Sequence, residues 1–183
     1  MKRVLIYIEQ EYIQDGIDLL EVARQVYPDE KYLSYAITLK GDIHELKGLF
    51  TRVFHVTHDL IHPYHTAGIA RIIETLHDEY HFDAILIPAS FYGRLVAPHT
   101  AMLLDTGLVA DVTEIAHTKE GLELIRPAYS GKMRAGIQIV GGGPVMMSIR
   151  PSVFSYTGSK MENTKVIEIE EVYFPFPFPS SFF

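Results

Sequence analysis

The sequence predicts an α/β fold, a three-layer α/β/α arrangement around a mostly parallel sheet with antiparallel strands added in the C-terminal third. Three observations predict it. Short, continuous apolar runs rich in β-branched residues, such as Val4-Leu5-Ile6-Tyr7-Ile8 and Ala84-Ile85-Leu86-Ile87-Pro88, read as strands buried on both faces. Stretches with helical apolar spacing alternate with them, which implies βαβ units. After residue 117 the runs become short and close together, leaving no room for crossover helices.

Taken in order, the first strand is followed by Leu19, Leu20, Ala23, Val26 and Tyr27 at helical spacing behind Asp15-Gly16, and Pro28 closes that helix. Tyr32 to Leu39 is a second strand, Asp42 to Phe50 a short helix and Arg52 to Val56 a third strand. From Tyr64 to Tyr80, Ile69, Ile72, Ile73, Leu76 and Tyr80 share one face of a helix. The strand at Ala84 to Pro88 follows, then a helix from Gly93 to Leu104 and a strand from Leu108 to Ala116. Leu122–Tyr129, Met133–Val140 and Val145–Ile149 are read as antiparallel additions to the same sheet, and Thr164 to Val172 as an edge strand. The layout is that of an adenine-nucleotide-binding-like fold. One domain spans 1-173, and 174-183 is a Phe/Pro-rich tail, Phe-Pro-Phe-Pro-Phe-Pro-Ser-Ser-Phe-Phe, in which alternating proline favours an extended chain.

Composition narrows the function. With 183 residues, 48% hydrophobic and 21% charged, the chain has the balance of a globular protein. It has no cysteine, which removes thiol chemistry and disulfides and leaves a cytoplasmic location as the expectation. A net charge of −7 opposes binding to nucleic acid. The apolar run after Met1-Lys2-Arg3 ends at Ile8 and is met by Glu9 and Glu11, so membrane insertion is not expected. Edge strands and the tail make a homo-oligomer conceivable.

Ligands of open parallel sheets bind beyond the carboxyl ends of the strands. The loop after the Ala84–Pro88 strand carries Ser90, Gly93 and Arg94 at the start of a helix, a phosphate-type arrangement: a hydroxyl, a close backbone approach and a planar cation. The plainer account is that Ser90 caps the helix and Arg94 pairs with a carboxylate. Gly141-Gly142-Gly143-Pro144 lacks the Lys-Ser/Thr of a phosphate loop and reads as a hairpin turn. His55, His58, His62 and His65 with Asp59 could supply a metal site for a hydrolase only if they converge, and His77 and His81 lie four apart; the simpler account is surface and capping histidines. No Gly-x-Ser-x-Gly elbow occurs. Asp105 and Asp111 could act as acid and base only if burial separated them, and Asp111 is more simply a structural acceptor near a turn. No catalytic centre is recognised.

One segment is more specific. Residues 84–113 read AILIPASFYGRLVAPHTAMLLDTGLVADVT. The segment resembles the N-terminal domain of electron transfer flavoprotein alpha subunits, with Ser90, Gly93-Arg94, Ala97-Pro98, Thr106-Gly107-Leu108 and Ala110-Asp111 at matching places. Arg126-Pro127-Ala128-Tyr129-Ser130-Gly131, Arg150-Pro151-Ser152-Val153-Phe154 and the opening VLIYIEQ are similar to further blocks of that family. His99, Lys132 and Ser130 depart from it, where arginine, asparagine and glycine are usual. The resemblance implies a beta-subunit partner, a fold of the kind that binds AMP in that partner, and FAD held mostly by a second alpha domain. It therefore implies an electron-carrier component that supports the flavin without holding it. The alternative is a stand-alone AMP-binding domain using Ser90, Gly93 and Arg94.

Overall fold

A computed structural model describes residues 1–160 and 163–170. The tail at 174–183 lies outside the described residues. Seven strands form one sheet in which every described pairing is parallel. They are β1 (Lys2–Ile8), β2 (Tyr32–Leu39), β3 (Arg52–Val56), β4 (Ala84–Pro88), β5 (Leu108–Val112), β9 (Val145–Ile149) and β10 (Lys165–Ile169), in the order β10-β3-β2-β1-β4-β9-β5. Strands β6 (Glu114–Thr118), β7 (Gly121–Ala128) and β8 (Met133–Ile137) form a separate antiparallel sheet.

The apolar runs are buried on both faces because both faces are covered. Val4, Ile6 and Ile8 of β1 pack with Ile17, Leu20 and Ala23 of α1 (Ile13–Val26). Leu5 and Tyr7 pack on the opposite side with Ile69, Ile73 and Val96 of α2 (Thr66–Tyr80) and α3 (Gly93–Leu103). Gly16 sits inside α1, where a Cβ would come within 2.5 Å of Ile8 Cδ1, so its absence lets the helix lie close on β1. Tyr35, Phe54, Tyr80 and Phe82 make a cluster of stacked and edge-on rings beneath α2.

Five sequence expectations are corrected. The predicted helix at Asp42 to Phe50 is one 3-10 turn, His44–Leu46, because Gly48 turns the chain at φ 84° and its N–H is held by Thr164 Oγ1 at 2.8 Å. The predicted strand from Leu108 to Ala116 is split between two sheets. Asp111 adopts φ 63° at a register shift, and the chain leaves the main sheet there. The antiparallel strands are a sheet of their own and not an extension of the first. Val145–Ile149 is parallel and sits between β4 and β5, so the three-stranded sheet occupies the place in the connection that a crossover helix usually takes. The helix predicted from Tyr64 begins at Thr66.

The order of the strands, though not their direction, reverses at the middle of the main sheet. From β1 the order goes outward through β2 and β3 on one side and β4 on the other. The carboxyl ends of β1 and β4 therefore flank the switch point of the sheet.

Candidate functional site at the switch point of the sheet

Strand β1 ends in apolar Ile8 and is followed at once by Glu9; β4 ends in Pro88 and is followed by Ala89 and Ser90. Because β1 and β4 are neighbours, these loops meet although 81 residues separate Glu9 from Ser90. The Ser90 hydroxyl donates to Glu9 Oε1 at 2.5 Å and accepts the Gly93 N–H at 2.9 Å. Glu9 is only 6% exposed, and the Gly93 N–H faces its carboxylate as well. Burial pushes the Glu9 carboxyl above its ordinary range, against which the Ser90 hydroxyl and the Gly93 N–H act to lower it. A side chain of the protein itself thus supplies the negative charge that the α3 N-terminus attracts.

The three predicted phosphate-loop residues are placed as follows. Ser90 caps α3 and holds Glu9. Gly93 is buried, and a Cβ there would stand 1.9 Å from the Pro88 carbonyl oxygen, so a side chain would force the backbone apart. Arg94 is exposed and makes no ion pair among the described residues, in place of the carboxylate pairing that was the plainer expectation.

Beside this network a cleft of about 150 Å³ opens between the ends of β1 and β2, lined by Tyr7, Glu9, Leu39, Lys40, Ile61 and Tyr92 among others. Pockets for drug-sized ligands run to about 300–1,000 Å³. The described residues do not form a flavin-sized pocket at this position.

The histidines do not converge. Among the described residues no three His, Asp or Glu side chains are grouped to hold a metal ion. His55 lies in β3 with its Nδ1 3.5 Å from Glu168 of β10. His58 Nδ1 accepts the Leu60 N–H, and His65 Nδ1 accepts that of His62. His81 ends α2 in the left-handed conformation, and burial lowers the His77 imidazole.

Two of the motif blocks meet at a second place. Arg150 grips Asp111 with two hydrogen bonds, Nε to Oδ1 at 3.1 Å and a terminal nitrogen to Oδ2 at 2.6 Å. The Asp111 N–H donates to Ser148 Oγ at 3.1 Å. Asp111 is thus the structural acceptor near a turn that its position suggested. Tyr129 and Ser130, in a third block, both have positive φ in the turn between β7 and β8. Sequence reasoning missed Glu9. Its signal was an acid directly after a doubly buried strand, on the edge of the sheet where ligands bind.

Residues 44–175 match the family described as electron transfer flavoprotein domain. That match takes in well over half of the chain. The chain belongs to the electron transfer flavoprotein family. The electron transfer flavoprotein subunit alpha of Thermoanaerobacterium thermosaccharolyticum is 34% identical over 164 residues, covering 83% of this chain and 49% of that one. The subunit alpha of Clostridium acetobutylicum is 32% identical over 123 residues, 66% of this chain and 37% of that one. A subunit of lactate dehydrogenase (NAD(+),ferredoxin) from Acetobacterium woodii is 30% identical over 161 residues, 81% of this chain and 37% of that one. The chain spans about half the length, or less, of these curated relatives. Of the blocks singled out in the sequence, Ser90 to Asp111, Arg126 to Gly131 and Arg150 to Phe154 fall within the family match, and the opening VLIYIEQ precedes it. No helix among the described residues is long and apolar enough to cross a membrane.

Proposed function

We propose that this chain is the alpha-type domain of an electron transfer flavoprotein, a cytoplasmic component that packs against a beta subunit and supports FAD-mediated electron transfer without holding the flavin itself. The observation that carries this reading is the closed switch point. In an open α/β sheet the crevice between β1 and β4 is where a dinucleotide would lie. Here Glu9 fills it, buried and hydrogen-bonded to Ser90, so an incoming phosphate would meet a carboxylate. Removing that carboxylate from the α3 N-terminus would also strand the Ser90 hydroxyl. The family match supplies the kind of assembly, and the cleft of about 150 Å³ is too small for a flavin.

A second reading rests on Arg94. Its guanidinium is exposed and without an ion pair among the described residues, in the first turn of α3, and with Ser90 and Gly93 it could hold the phosphate of AMP.

The experiment purifies the chain alone and together with a beta subunit encoded in the same genome, and titrates each with FAD and AMP by calorimetry. The first reading expects a colourless chain that gives no heat with either ligand and co-elutes with the beta subunit. A yellow chain with stoichiometric flavin would overturn it. Heat from AMP that disappears in Arg94→Ala would favour the second.

A further inference from the structure

We propose that the Phe/Pro segment 174–183 docks on its own domain, across the rim formed by the carboxyl ends of the strands. The proposal is independent of the electron-transfer reading. Large apolar side chains gather on this rim. Tyr12, after β1, is 51% exposed; Leu60 and Tyr64, after β3, are 52% and 55% exposed; Phe91, after β4, is 77% exposed. The apolar cleft walled by Tyr7, Leu39 and Ile61 opens in their midst. Single exposed apolar residues are ordinary, but several around one apolar cleft mark a surface that something covers.

The chain itself arrives at that surface. Strand β10 runs parallel to the others, so its last residue, Ile169, lies on the same rim. The Ile169 carbonyl accepts the Thr57 N–H at 3.0 Å, which ties the end of β10 to the start of the loop that carries Leu60 and Tyr64. From β10 to β4 is four strand spacings, about 19 Å. The thirteen residues 171–183 reach about 40 Å at the rise of a proline-rich chain. The segment can therefore cross the whole rim.

Its chemistry fits. Segment 174–183 has five phenylalanines, three prolines and no charged residue. Proline restricts the free chain, so less freedom is lost when the rings dock. An uncharged strip also meets no repulsion from a protein of net charge −7. On the rim, Lys40 is engaged by Asp59, at 2.9 Å to its carbonyl and 3.4 Å to its carboxylate, and so places no demand for an acidic occupant.

The test compares the full chain with a variant carrying Phe174→Ser, Phe176→Ser and Phe178→Ser, which keeps the length and the prolines. Hydrogen exchange is followed by mass spectrometry at residues 58–65 and 90–95, and binding of an apolar dye is measured alongside. The expected result is exchange at least about fivefold faster at both loops in the variant, more dye bound, and unchanged protection of β1 and β4. A chain ending at Tyr173 gives the same readout should the variant aggregate. Equal exchange with and without the phenylalanines would overturn the proposal. So would protection that appears only as protein concentration rises, because the segment would then be docking on a second copy.

Discussion

Glu9 shows how one side chain can define a crevice. Its carboxyl is buried between two loops and held by a hydroxyl that is itself a helix cap. Burial raises its proton affinity above that of the same group in the unfolded chain, where the ordinary value is 4.5. For an acid shifted upward, the contribution to stability is fully present below the unfolded value and is lost as pH rises through the folded one. Glu9→Gln keeps an acceptor for Ser90 and removes the titration. Urea unfolding of both proteins from about pH 4 to 7 is expected to show the variant gaining on the natural protein as pH rises, with the difference levelling off once Glu9 is ionised. A difference that stays flat across this window would mean that the carboxyl titrates alike in both states. This role was not legible in the sequence, because it exists only where β1 and β4 become neighbours. Ser90 was legible, since a serine three residues before a helical N–H can cap it whatever else surrounds it. Arg94 was legible as a cation and not as an unpaired one.

At the scale of elements, strands buried on both faces and the amphipathic α2 could be read directly, because their patterns depend on local spacing alone. The region from 108 to 149 could not. Three short strands closely spaced in sequence suggest hairpins, and two hairpins do form, but the fourth strand, β9, leaves them to pair with β4. The choice between joining the hairpins and entering the main sheet is made by long-range burial: Met146 and Met147 are buried among residues of both sheet faces. Strand β10 shows a similar dependence at the other edge. It is fastened by Thr164, whose hydroxyl donates to the Phe50 carbonyl at 2.6 Å and accepts the Gly48 N–H at 2.8 Å. Thr164→Val removes both bonds while keeping shape. A loss of about 1–3 kcal/mol in urea unfolding is expected, together with faster amide exchange in β10 than in β1. A change below about 0.5 kcal/mol would show that backbone pairing with β3 holds the strand unaided.

For the molecule as a whole, both edges of the main sheet depend on late segments. Among the described residues, β5 is joined to β4 through β9 alone, and β3 is covered on its outer side by β10 alone. Residues 150–160, which follow β9, contact the α1 side of the sheet. There the Tyr156 N–H donates to Asp18 of α1 at 2.9 Å, and Phe154 is buried in the same core. Such non-local pairing delays folding, since loop closure must precede contact. Refolding from urea is expected on a scale of about milliseconds to seconds, slower than helical proteins of similar stability, as stopped-flow measurement of secondary structure would show. Refolding in microseconds would indicate that the sheet assembles from local units instead.

The position of β9 has a consequence during synthesis. Strand β4, apolar at every position, leaves the ribosome about sixty residues before its outer neighbour. At about 5–20 residues per second, that edge waits several seconds with its amides and carbonyls unpaired. A growing chain in this state offers a strand edge to any other growing chain nearby. The order of strands in the sheet thus sets a period of exposure on the ribosome, and helper proteins that shield nascent chains would matter most to this protein between the synthesis of Pro88 and that of Ile149.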